Sequence, residues 1–256
     1  MGVAVSATTA KLLPLSDTPM CFSAPASFIA AATLATAGVV TLRMASRPSQ
    51  MPLAVVPLLF GIQQFIEGLI WLSFDNASPV PNPPLTFVYS LFSHVLWPIY
   101  VPFAIRLLET VRWRRQALLA TQVAGVLVGL YLLYSLAQFP VTARVLGQHI
   151  VYESPHFYQL PVMATYLIAT CASSMLASHR LIRLFGLLSL VTFLAAYAIH
   201  AATLVSVWCF FAAILSFIIY VYFRRIRASA APINRSPTQW GRASVDAARP
   251  ASRRTK

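Results

Sequence analysis

Charge is scarce in this chain of 256 residues: 10% of its side chains are charged, and six of those are acidic. Soluble domains carry roughly a quarter charged residues, so a chain that is 58% hydrophobic does not suit a surface bathed entirely in water. Cysteine is scarce too. Cys21, Cys171 and Cys209 stand far apart without C-x-x-C spacing, which removes the common zinc and dithiol arrangements. Cys21 and Cys209 could be joined or remain two free thiols. There is no G-x-S-x-G, Walker loop, dinucleotide fingerprint or H-E-x-x-H, so the familiar soluble-enzyme motifs are excluded. Residues 1–19 hold no apolar run long enough for a secretory signal, and no internal repeat supports an inverted-repeat transporter.

What the chain does have is apolar length, with a mean hydropathy of +0.71. A bilayer-spanning helix needs roughly 20 mostly apolar residues. Seven stretches meet that test: 25–42, 52–74, 86–108, 117–139, 158–178, 183–202 and 204–223. The last two are divided by a tight His200–Thr203 turn, and the fifth and sixth by Ser178-His179-Arg180.

The cations supply a separate test, because cytoplasmic loops are enriched in Lys and Arg. Arg43 and Arg47 follow the first stretch, Arg106, Arg112, Arg114 and Arg115 the third, Arg180 and Arg183 the fifth, and nine more lie between Arg224 and Lys256. Only Lys11 and Arg144 fall on the other side. The expectation is an all-α polytopic transmembrane bundle of about seven helices in the cell membrane, with the N-terminus outside and the C-terminus cytoplasmic. It divides into a leader at 1–19, the membrane domain at 20–223 and a basic, disordered tail at 224–256. The net charge of +13 is then a membrane-edge charge, with anionic lipid headgroups as its partner and no nucleic acid. The 140–157 segment, with Arg144, His149, Glu153 and His156, is the longest outer loop. Pro79, Pro81, Pro83 and Pro84 predict a stiff, extended link before the third helix. Asn76-Ala77-Ser78 is a glycosylation sequon.

Polar side chains within spans are costly and mark candidate sites. Glu67 is the one acid deep in a span, and Gln63, Gln64, Glu67 and Trp71 share one helical face. That face must turn inward, since lipid cannot satisfy two carboxamides and a carboxyl. His94 and Trp97 lie on the next helix. At about 1.5 Å per residue, Glu67 and His94 reach the same depth, roughly 10–12 Å from the membrane edge, which allows a Glu67–His94 contact. His200, Ser206 and Cys209 fall toward the same outer half. These residues predict a polar pocket open to the exterior.

Several of its motifs give the chain a resemblance. Met20-Cys21-Phe22-Ser23-Ala24-Pro25-Ala26-Ser27-Phe28 opens it; Pro57…Phe60…Gln63-Gln64…Glu67-Gly68…Trp71, Trp97-Pro98…Pro102…Glu109 and Ser206-Val207-Trp208-Cys209-Phe210-Phe211 continue it. Over residues 20–223 the chain resembles a family of multi-pass membrane proteins classed as a domain of unknown function. The resemblance implies a seven-helix membrane domain beginning at Met20, with residues 1–19 as an extension, and it implies no activity.

Three functional readings follow. A transporter or sensor would use Glu67 as a proton or cation site among Gln63, Gln64 and His94. An intramembrane hydrolase of a lipid-like substrate would use Glu67, His94 and His200 as metal ligands. A scaffold or accessory subunit would use the same groups only as interhelical glue.

Overall fold

A computed structural model describes residues 23–75, 79–147, 149–154, 156–200 and 203–230. The leader, the sequon, Cys21 and the tail beyond Ala230 lie outside these residues. Among the described residues six helices are long and apolar enough to cross a membrane: α1 (Ala24–Met44), α2 (Pro48–Ser73), α3 (Asn82–Leu108), α4 (Arg112–Gln138), α6 (Arg180–Ile199) and α7 (Leu204–Ser229). The expected fifth span is a shorter apolar helix, α5 (Leu160–Met175). Between α4 and α5 lies an antiparallel hairpin of β1 (Thr142–Leu146) and β2 (His149–Glu153), turning at Gly147 with φ 61°.

Local chemistry accounts for the ends. Ser23 Oγ accepts from the Ala26 N–H at 3.4 Å, and Pro25 occupies the first turn of α1, where its missing N–H costs nothing. Likewise Pro83 and Pro84 fall within the first turn of α3, so the stiff linker is shorter than expected. The Asn82 amide reaches back to Ser73 Oγ at 2.8 Å, tying α3 to the end of α2. At the other extreme, α7 runs past the apolar limit at Phe223, because arginine and alanine are strong helix formers.

Helices α1 to α7 pack each on the next, and α7 returns to α1, so the bundle closes. α2 is its most buried member: 67% of its apolar window is buried, against 33% for α1, α4 and α6. Large apolar side chains such as Leu127, Leu130, Tyr134, Leu194 and Ile199 point outward, where a bilayer would solvate them.

Two helices widen. Residues Leu91–Leu96 of α3 form a π-turn in which the Trp97 N–H bonds to Phe92 O. Pro98 has no N–H, so the Ser93 carbonyl loses its intrahelical donors. The Tyr166 hydroxyl of α5 donates to that carbonyl, so the distortion is stabilised from a neighbouring helix. In α5 the turn Ile168–Ala172 is also widened, and the Ser173 and Ser174 hydroxyls cover the carbonyls of Ala169 and Thr170.

One end of the bundle is tied by a buried acid. Glu109, between α3 and α4, accepts from the Thr110 and Val111 N–H groups and from the Ser178 N–H and hydroxyl, at 2.7–3.0 Å. Arg114 closes the same corner by donating to Leu176 O and Ala177 O, just past the end of α5, whose last carbonyls have no intrahelical donor. Burial alone would raise the Glu109 pKa, but these four donors outweigh it and hold the carboxyl below its usual range. A depressed folded pKa means stability that is present above the ordinary carboxylate range and is lost as pH falls through the folded value. Glu109→Gln should therefore lower the unfolding midpoint at neutral pH by a shift worth about 2 kcal/mol. The gap to wild type should close as the solution is acidified. A gap that stays constant with pH would show that the carboxylate charge is not what these donors hold.

Candidate polar centre within the bundle

The face on α2 is inward. Gln63, Gln64 and Glu67 are all buried, Glu67 with 2% of its surface accessible. Glu67 Oε1 accepts from Ser206 Oγ of α7 at 2.6 Å, and Oε2 accepts from Gln64 Nε2 at 3.0 Å. Trp97 Nε1 of α3 donates to Gln63 Oε1 at 2.8 Å, while its ring stacks on Phe60 with centroids 4.0 Å apart. One helical turn beyond Ser206, the Cys209 thiol lies near Glu67, Gln63 and Tyr89. It is a buried free thiol, as is Cys171. Ser206 and Cys209 thus join the α2 face as expected, and α2, α3 and α7 together build one centre.

The centre holds no counter-charge. Among the described residues the one salt bridge, Arg144–Glu153, lies on the exposed side of the hairpin, where Arg144 and Thr142 hold the Glu153 carboxyl below its usual range. Glu67 is therefore met by neutral hydrogen-bond donors. Around it Gln64 Oε1 is buried without a hydrogen-bond partner, while Tyr89 Oη faces Glu67, Cys209 and Tyr152, and Gln63 Nε2 faces the Cys209 thiol, without a hydrogen bond of ordinary geometry. A buried polar atom left short of a partner costs about 1–3 kcal/mol, so this incompletely paired cluster suits an occupant or a change of state.

His94 is not Glu67's partner. Its Nδ1 lies 2.8 Å from Ser93 Oγ and its Nε2 3.0 Å from Ser154 Oγ, and Phe157 stands edge-on to the ring at 4.9 Å. The two residues share a depth, but the π-turn rotates His94 toward the segment after the hairpin. No three His, Cys, Asp or Glu side chains come together among the described residues. The His200 side chain, the third of the expected ligands with Glu67 and His94, lies outside the described residues. Trp71 stands apart as well, half-buried and edge-on to Phe74 at 6.4 Å.

In place of an open mouth there is a cover. Ile150, Val151 and Tyr152 of β2 are buried, and the Tyr152 ring stacks on Tyr89 with centroids 4.5 Å apart. Tyr89, Tyr152, Ser154 and Tyr166 are the participants that reading for charged and amide groups passes over. The available signal was the pair of β-branched runs flanking Gly147-Gln148, which reads as a hairpin and not as a loose loop. Beside the centre a cavity of about 30 Å³, lined by Trp97, Cys209, Tyr166, Thr170 and Ser189, has room for about two waters.

A family described as "Family of unknown function (DUF6629)" matches residues 20–234, and the chain belongs to it. The match begins at Met20, where the sequence resemblance opens. No curated protein and no solved structure matches the chain.

Proposed function

We propose that this protein is a membrane transporter or sensor, in an occluded state, whose working group is the Glu67 carboxyl and whose occupant is a proton or small cation. The observation that carries the reading is a carboxyl group sealed within the most buried helix, met by neutral donors and surrounded by buried amide and phenol groups whose hydrogen bonding is incomplete. A strut alone would not need a carboxyl there, since an uncharged amide makes the same contacts at lower desolvation cost.

The neighbours suit both charge states. Ionised, Glu67 accepts from Gln64 Nε2 and Ser206 Oγ. Protonated, it becomes a donor, and a turn of the Gln64 amide would present the unpartnered Oε1 to receive that proton. In the orientation supported by the basic loops, the hairpin covers the outer end, Glu109 faces the cytoplasm of a cell-membrane protein, and the basic tail meets anionic headgroups.

The test is reconstitution of the full chain into liposomes, with pH, Na⁺ and K⁺ gradients imposed separately. Wild type should dissipate one gradient faster than protein-free vesicles, and a folded Glu67→Gln variant should not. Equal flux for wild type and Glu67→Gln would reduce Glu67 to packing, and the absence of any flux from folded wild type would overturn transport and leave the sensor and scaffold readings.

A further inference from the structure

We infer that the groove between the start of α6 and the end of α7 binds the phosphate headgroup of an anionic phospholipid. This rests on, and sharpens, the reading that the basic C-terminal side meets such headgroups. The groove, about 430 Å³, lies at the bundle end that carries Glu109, and Arg180 and Arg225 line it from opposite helices.

The arginines at this end divide by what they already do. Arg114 and Arg183 donate to the Leu176, Ala177 and Ser178 carbonyls. The side chains of Arg180 and Arg225 are exposed and make no hydrogen bond or ion pair among the described residues. Among the described residues no carboxylate at this end competes for them, since Glu109 has its oxygens filled by four donors. Two guanidinium groups across a groove suit phosphate oxygens, which accept paired N–H bonds.

Other groups are set for the same ligand. His179 lines the groove with its ring, held edge-on to Tyr222 with centroids 5.0 Å apart, while the Ser229 hydroxyl beside it donates to Arg225 O and stays out of the ligand's reach as a donor. Leu181 and Ile226 add apolar wall. A free phosphate has no use for that wall, whereas an acyl chain descending from a headgroup does. The position, where the apolar run of α7 gives way to Arg224, Arg225 and Arg227, matches the depth of headgroups.

Native mass spectrometry of the full chain in detergent tests this, with phosphatidylglycerol, phosphatidylcholine and inorganic phosphate titrated in turn. Wild type should bind one phosphatidylglycerol saturably and in preference to phosphatidylcholine. Arg180→Gln/Arg225→Gln should weaken that binding roughly thirtyfold, while Arg253→Gln/Arg254→Gln in the tail, an equal change of charge, should leave it unaltered. An equal loss in both variants, or a loss confined to the tail variant, would overturn the groove and leave diffuse attraction to the basic tail. No preference for phosphatidylglycerol in wild type would remove both readings. Inorganic phosphate bound as tightly as the lipid would make the site an ion site and overturn the lipid assignment. Both arginines are exposed, so the double variant should keep the wild-type helical spectrum and elution volume.

Discussion

Gly125→Ala should prevent the bundle from forming its native α3–α4 contact and should be the most damaging single-methyl change in the protein. Pro102 has no N–H to give to the carbonyl four residues earlier, so the Pro98 oxygen projects from α3. Gly125 of α4 lies directly against it: a Cβ there would come within 1.9 Å of Pro98 O, and 3.2 Å from Ala169 Cβ of α5. Neither the backbone oxygen nor the three-helix junction can yield by the ångström that is needed. Helices in lipid associate through close packing and not through the hydrophobic effect, so forced separation removes the main attraction. The expected loss is at least about 3 kcal/mol, seen as a collapsed unfolding midpoint or as aggregation on size exclusion in detergent. Val123→Ala on the exposed face of the same helix should be close to neutral. Wild-type stability for Gly125→Ala would mean that α3 and α4 do not approach as described.

Trp97→Ala should have the second-largest effect. The indole fills the space between Phe60 and the small cavity beside the centre, and it satisfies Gln63 Oε1. Its removal enlarges that cavity and leaves Gln63 Oε1 without its donor. Truncation of a buried tryptophan costs about 3–5 kcal/mol, and the orphaned carbonyl adds to this. Trp97→Phe keeps the stacking and loses only the N–H, so it should cost about 1–2 kcal/mol. Reversible unfolding in mixed micelles gives both values. If the two variants cost the same, the hydrogen bond and not the ring carries the site; if both are neutral, the buried centre is wrongly described.

The inward face of α2 was legible because helical periodicity is local: Gln63, Gln64 and Glu67 recur at i, i+1 and i+4 whatever surrounds them. The contribution of α7 was legible from depth, as Ser206 and Cys209 open a helix whose apolar limits are plain. His94 was misassigned for the same reason that its depth was right. Rise per residue gives height along a helix, but azimuth depends on every turn before it, and the π-turn before Pro98 changes that angle. The cover was missed because Ile150, Val151 and Tyr152 do not alternate in burial; β2 is buried by Tyr89, α7 and its own fold onto the bundle.

The sequence by itself determined the helical membrane architecture, the approximate limits of its helices and the identity of the carboxyl deep within a span, because hydropathy, periodicity and the cost of a charge in lipid act residue by residue. Tertiary structure alone decided who meets that carboxyl. The Ser206–Glu67 bond joins residues 139 apart, the Tyr166 hydroxyl caps a carbonyl 73 residues away, and Tyr152 closes over Tyr89 from a hairpin. Such contacts are set by the rotation of each helix about its axis, and that rotation is fixed only when all the helices have packed.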